Sequence, residues 1–404
     1  MVRTAVVAAL VVPLAVLASA CSDTVTTAKA SPTPVRIGAI YNLSGGQSGL
    51  DVPSLDGARL AVERINARGG LLGRRVELLE RDGRTDKTVV RRAAASLVAA
   101  GVSAIIGLSD TDQVLAAAPI AASAGVPFVT SGATSPRLPA EVPDWLFLAC
   151  FGDNAQAAAS AQYAVEQLGA RSAAVLYDSE LDHTRVLRRY FERSFRAQGG
   201  HVLASAGYKP ADDDAVALLG DAAEERRGRH ADGRSAADAD VLFVAAAPDE
   251  AAALVRGLRR AGYDQPIMGG DSFDSDALVH TAEATGGKVY FTTHVALGVS
   301  SASLAARRFD ASFEAVYGRP PQNAFAGLGY DAVGLVAAAI RRAESVEPQA
   351  VRDAIQTTQR YRGVTGTLSY RGDDRVPLKR VTMVCVGRRP VVVAQFTPGY
   401  VSEP

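Results

Sequence analysis

Two runs decide how this chain folds: Ser103-Ala104-Ile105-Ile106-Gly107-Leu108-Ser109-Asp110-Thr111 and Val126-Pro127-Phe128-Val129-Thr130-Ser131-Gly132-Ala133-Thr134. The first is a short apolar strand, Ala104 to Gly107, interrupted by a corner that carries Ser109. Val114, Leu115, Ala118, Ile120 and Ala121 then recur at helical spacing as far as Gly125. Val126 to Thr130 is a second strand, and Ser131 to Thr134 is its corner. A strand, helix, strand order implies parallel neighbours, so both hydroxyl-bearing corners reach one edge of a sheet. Open α/β sheets bind ligands at that carboxyl edge. Backbone N–H groups at the Ser109 corner, where the next helix starts, suit an anion such as a carboxylate. Spacing alone favours the plainer role for these hydroxyls, capping helices and closing turns.

The pattern continues outward. Val35 to Tyr41 is a strand, and Leu55 to Ala67 a helix stopped by Gly69-Gly70. Arg75 to Glu80 is a strand, Thr88 to Ala100 a helix, and Trp145 to Cys150 a strand. A second set alternates from Asn154 to Gly270, with an Arg-rich loop insertion between Glu224 and Asp240. Strands alternating with helices of this length imply α/β architecture with covered parallel sheets. The tail differs: Gly366 to Tyr370, Arg380 to Val386 and Val391 to Phe396 read as short antiparallel strands. At 404 residues the chain exceeds one ordinary core, which implies two lobes.

Composition excludes several classes. The 43 basic residues balance 43 acidic ones without a long run of one sign, so nothing asks for nucleic acid. There is no G-x-S-x-G elbow, P-loop or H-E-x-x-H, and none of the five histidines has ligand spacing. A hydrolase using Ser109 or Ser272 with Asp271 or His183 is the enzyme alternative; the expectation is no enzyme, no cofactor and no metal. Asp271, Asp274 and Asp276 lack the order and central Gly of a calcium loop and fit an acidic helix start.

Met1 to Cys21 reads as an export address: a minimal charge at Arg3, an apolar run from Ala5 to Leu17, and small residues before Cys21. It resembles a bacterial lipoprotein signal, which implies lipidation of Cys21. Ala18 stands where such signals usually have Leu, so an ordinary secretory signal is the alternative. Ser22 to Pro34, rich in Ser, Thr, Ala and Pro, reads as a disordered tether.

Further motifs carry a family resemblance. They are Arg36-Ile37-Gly38-Ala39, Leu43-Ser44-Gly45, the helix motif from Gly57 to Gly73, Ser131-Gly132-Ala133-Thr134-Ser135-Pro136, Phe325-Ala326-Gly327-Leu328-Gly329-Tyr330-Asp331, and Gly363-Val364-Thr365-Gly366. From about Val35 to Pro398 the chain resembles the substrate-binding proteins of branched-chain amino-acid ABC transporters, of the periplasmic binding protein type I group. That resemblance implies a clamshell of two doubly wound parallel-sheet lobes joined by three chain crossings, near Cys150, Thr292-Thr293 and Val381 to Val386. The implied division is residues 1–21 signal, 22–34 tether, 35–149 with 293–383 in one lobe, and 150–292 with 384–404 in the other.

The resemblance implies a small amino-acid-like ligand, ABC permease partners and a domain outside the cytoplasm, anchored to the membrane by a lipid. A sensor of the same fold that reports to a regulator is the alternative function. The implied ligand set is Ser109, Ser131, Ala133 and Thr134 for a carboxylate and Asp271 for an ammonium. Asp182 is added because Asp182-His183-Thr184-Arg185 stands where the family often has an aromatic. Ala247 and the region near Leu50 also lack the family's rings, which points to a ligand more polar or larger than leucine. If Cys21 is acylated, Cys150 and Cys385 form an even pair where crossings are implied. They are either a hinge disulfide or two buried apolar thiols.

Overall fold

The computed structural model describes residues 1–2, 4–5, 33–210, 214–227, 235–299, 302–387 and 389–397. Cys21 and nearly all of the expected tether lie outside these residues, as does 228–234 of the loop insertion. From Thr33 onward the chain forms one unit.

Its first half alternates β1 (Val35–Tyr41), α1 (Ser48–Asn66), β2 (Val76–Asp82), α2 (Lys87–Ala99), β3 (Ala104–Gly107), α3 (Thr111–Ser123), β4 (Phe128–Thr130), α4 (Leu138–Glu141) and β5 (Leu146–Leu148). Among the described residues these strands make a five-stranded sheet, ordered β2-β1-β3-β4-β5 and parallel throughout. This order reverses between β1 and β3, so the loops leaving these two neighbours diverge to opposite faces and open a crevice.

The chain continues through α5 (Asp153–Glu166), β6 (Ser172–Asp178), α6 (Asp182–Ala197), β7 (His201–Tyr208), α7 (Ala217–Arg227), β8 (Val241–Ala245), α8 (Ala251–Arg260), β9 (Ile267–Gly269), α9 (Asp276–Ala284) and β10 (Val289–Thr293). It returns to the first sheet with α10 (Leu304–Tyr317), α11 (Ala324–Ala343), α12 (Pro348–Gln356) and the hairpin β11 (Tyr361–Gly363) and β12 (Gly366–Leu368). Finally β13 (Val381–Val386) and β14 (Pro390–Phe396) complete a seven-stranded sheet, ordered β14-β13-β10-β9-β8-β6-β7. β13 alone runs against the others in it, antiparallel to both β10 and β14, and the remaining pairs are parallel.

Helices cover both faces of each sheet. One face of the first sheet packs Ile37, Ala39, Ala104 and Ile106 against α1, α11 and α12. The other packs Ile40, Ile105, Phe128 and Leu146 against α2 and α3. Alternate strand residues thus feed two cores, the pattern of a sheet buried on both sides. Helix α11 is long and apolar enough to cross a membrane on length and composition alone; most of it is buried in this core.

The motif helices α1 and α11 meet glycine to backbone. A Cβ on Gly57 would lie 1.8 Å from the Ala326 carbonyl oxygen, and one on Gly329 would lie 1.8 Å from that of Ser54. α1 begins at Ser48, ahead of the expected Leu55, despite Pro53. Proline leaves the Gly49 carbonyl without its helical donor, and Asn323 Nδ2 of α11 supplies one at 3.0 Å. Asp331 of α11 is buried and accepts from Val364 N–H, Thr365 N–H and Thr365 Oγ1 at 2.6–2.8 Å. It fixes the Gly363–Gly366 turn.

Two sequence expectations need correction. β10 pairs along its full length with β13, from Val289 with Val386 to Thr293 with Thr382. The third passage between sheets is therefore 371–380, ahead of Val381, and the lobe boundary at residue 383 moves with it. Lys379 pins that passage to the first, donating to Ala149 O at 2.9 Å. No disulfide joins Cys150 and Cys385; both are free thiols. Cys150 is buried in the first sheet's core with Sγ toward Ala133 O at 3.3 Å, whereas Cys385 lies near the far end of β13, opposite Tyr290. The two passages that touch do not bring these two side chains together.

Candidate functional site

The carboxyl edges of the two sheets face each other across a narrow cleft. On the first sheet, Gly107 has φ +129° and Leu108 φ +56°. A Cβ on Gly107 would meet Ile40 O at 1.9 Å, so only glycine fits. This turn presents Ser109 to the cleft and lets Asp110 cap α3, accepting from Gln113 N–H at 3.0 Å. The β4 corner is tied to it: Thr130 Oγ1 donates to Leu108 O at 2.8 Å and accepts from Ala133 N–H at 3.0 Å. Gly132 allows the closest packing, since a Cβ there would lie 2.7 Å from both Ser109 Oγ and the Phe325 ring. Behind it Asn42 gives its backbone N–H and its Nδ2 to buried Asp51 at 2.8 Å each. Burial outweighs these bonds and lifts Asp51 to about 7; burial likewise lifts Asp110 to about 6.

The second sheet contributes a denser polar cluster. Gln156 of α5 sits at its centre, donating to Asp153 Oδ1 at 2.8 Å and Asp271 Oδ1 at 3.0 Å. Its Oε1 accepts from Asp271 N–H at 3.0 Å and from Thr292 Oγ1 at 2.7 Å. His294 Nε2 donates to Asp271 Oδ2 at 2.9 Å, with its ring stacked on Phe151 at 3.8 Å. Burial favours a carboxyl, yet the His294 bond and the nearby His183 charge hold Asp271 below the usual carboxylate range. Burial also keeps His294 below the ordinary imidazole value, so a neutral Nε2–H donor is the form the geometry supports.

His183, in the first turn of α6, is the group that reaches across. Its Nδ1 lies 3.2 Å from Asp153 Oδ1 and 3.4 Å from Thr134 Oγ1. Burial opposes its charge, but Asp153, Asp271 and Asp110 outweigh that and raise it to about 9. Its Nε2 has no protein partner among the described residues, and Ser109 Oγ is buried without one, beside Asp51 but not at hydrogen-bonding geometry. Asp153 N–H donates to Thr134 O at 2.7 Å and Asp182 N–H to Asp112 Oδ2 at 3.3 Å, so both edges are stitched together.

The remaining space is about 20 Å³, lined by Ser109, Gly132, Thr134, His183, Asp271 and Phe325 with apolar Leu50, Leu181, Ala246, Ala247 and Pro248. That holds about one water. A larger cavity of about 530 Å³ opens beside the hinge, lined in part by His294, Thr365, Arg371, Arg380, Thr382 and Gln395. Size favours the second and chemistry the first, because of the two it is the smaller one that lies where both sheets' carboxyl edges and their polar groups converge.

Of the residues expected from sequence, Ser109, Thr134 and Asp271 line the cleft. Ser131 lies beneath it, bonded to Ser54 Oγ at 3.2 Å, and Ala133 is packed in the core. Asp182 turns away to pair with Arg185 at 3.1 Å. Its neighbour His183 takes the cleft position because the first helical turn directs successive side chains to different sides. Gln156, Asp153 and His294 carried no local sequence signal; their roles arise from packing between elements distant in the chain.

The geometry has counterparts among known proteins. A family model described as periplasmic binding protein matches residues 34–389. The Leu/Ile/Val-binding protein homolog 3 of Brucella melitensis is 26% identical over 352 residues, 87% of this chain and 91% of its own. The LivJ structure from Streptococcus pneumoniae, a branched-chain amino acid transporter substrate binding protein in complex with isoleucine, superposes with TM-score 0.78 at 28% identity, covering 92% of this chain and 100% of its own. The leucine binding protein LivK from Thermotoga maritima gives TM-score 0.79 at 28% identity, with 90% and 99% covered.

Proposed function

We propose, for a chain that belongs to the periplasmic binding protein family, the role of solute receptor for an ABC importer, closing on an amino acid or amino-acid-like small molecule. Members of this family are extracytoplasmic ligand binders rather than enzymes. The observation that carries the reading is the cleft, where the carboxyl edges of two parallel sheets converge on Ser109, Thr134, His183 and Asp271. Closure is a population shift driven by contacts that the ligand makes only when the edges meet. Since the closed space holds little beyond a water, solute entry requires the edges to part about the three passages.

The closed form then presents its joined surface to permease subunits. A lipid on Cys21 would keep the receptor close to them. Mass analysis of Cys21 in membrane fractions tests the anchor: a diacylglyceryl-modified N-terminal cysteine supports it, and a free or uncleaved one removes it. Thermal-shift screening of the purified protein against amino acids, amides, ureas and simple carboxylates tests the receptor role. A solute at a hundred times its dissociation constant adds about 2.7 kcal/mol of stability. A protein unmoved by every solute contradicts the role.

A further inference from the structure

The cleft's cation position is occupied by the chain itself. Asp153, Asp271 and Asp110 surround one niche, and a niche of three carboxylates is stable only around positive charge. His183 fills it through Nδ1, 3.2 Å from Asp153 and 3.4 Å from Thr134. Asp271, the acid that the resemblance assigns to a ligand ammonium, already accepts from Gln156 and His294.

The same ring offers something to the cavity. Protonated, its Nε2–H is a charged donor without a protein partner, and Ser109 Oγ lies unpartnered in the same lining. Two unfilled donors, one charged, match the two oxygens of a carboxylate, and charge-assisted bonds of this kind are the strong ones. Leu50, Leu181, Ala246, Ala247 and Pro248 leave an apolar wall for the rest of the molecule.

We propose that His183 is the resident cation of the cleft and that the ligand is a small carboxylate lacking an α-ammonium group. The inference rests on the receptor reading above and narrows its ligand class.

The test is calorimetry and thermal shift on the purified protein with matched pairs: leucine against isocaproate, phenylalanine against hydrocinnamate, alanine against propionate. At least one deaminated acid is expected to bind, and its amino partner to bind at least roughly tenfold more weakly. His183→Gln is expected to lower affinity for that acid roughly tenfold to a hundredfold, the worth of a bond to a charged group. An amino acid that binds more tightly than its deaminated partner, or unchanged acid affinity in His183→Gln, overturns the inference and leaves the receptor role standing. If no member of any pair binds, the inference falls; if the wider solute panel also fails, the receptor role falls with it. Nitrogen NMR of the imidazoles gives a check independent of any ligand. Both His183 nitrogens are expected to be protonated near neutral pH, and a neutral ring overturns the proposal.

Discussion

Changing Gly329 to Ala adds one methyl group at the contact between α11 and α1. The new Cβ would lie 1.8 Å from Ser54 O, 2.6 Å from its carbonyl carbon and 2.8 Å from its Oγ. Two of these atoms are backbone, so no rotamer change relieves the clash; the helices must separate. Overpacking of this kind costs typically about 1–3 kcal/mol, and a rigid backbone partner places it at the upper end or beyond. Against this, replacing a mid-helix glycine with alanine gains about 1 kcal/mol of helix propensity. The net expectation is a loss of about 2 kcal/mol or more. Gly220, inside α7 with open space at its Cβ position, is the control. There the same substitution has only the propensity term, so Gly220→Ala stabilises by up to about 1 kcal/mol. Urea unfolding of both variants measures the difference. Gly329→Ala at or above the parent's stability, or both variants moving the same way, refutes the packing argument. Since Phe325 sits one turn ahead of Gly329 and Ser54 bonds Ser131 beneath the cleft, separated helices also disturb the ligand wall.

Three further expectations follow from the site. His183 is raised from 6.5 to about 9 in the fold, so its contribution is complete below pH 6.5 and lost as pH rises to about 9. The loss is roughly 3 kcal/mol as an upper bound, and pH-dependent denaturation should show the decline flattened in His183→Gln; an equal decline in both removes the assignment. Ser109→Ala, which deletes an unpartnered hydroxyl, and Thr134→Val should each weaken ligand binding by about 0.5–1.5 kcal/mol, more if the acceptor is charged. Ser109→Ala should leave the unfolding midpoint nearly in place, and a large drop in it with normal affinity would return that hydroxyl to a capping role. The denatured, unreduced exported protein should show the thiols of both Cys150 and Cys385, and a thiol assay that finds neither contradicts the packing of the two cysteines.

The alternation of strands and helices was legible because each strand here is a short apolar run and most helices carry a glycine stop. The α1 start was not, since Pro53 and Gly49 read as breakers until Asn323, far along the chain, supplies the missing donor. In the site, the Ser109 and Ser131–Thr134 corners could be read because turn chemistry is local. The family resemblance pointed to four residues of α6, Asp182 to Arg185, and to Asp182 among them, whereas it is His183 that lines the cleft. Which of two neighbours faces the cleft depends on the helix's rotation against β6 and α5, which is a matter of packing. The resemblance singled out Asp271; that it already accepts from Gln156 and His294 is a property of α5 and the ends of β9 and β10 packing together.

The most direct test of the cleft as the solute site is a crystal structure of the protein with whichever solute stabilises it most in the thermal-shift screen. The account predicts that solute between the two sheet edges, within hydrogen-bonding distance of Ser109, Thr134 or the His183 Nε2. A solute bound instead in the hinge-side cavity of Arg371 and Arg380, with the cleft still closed on His183, would contradict it.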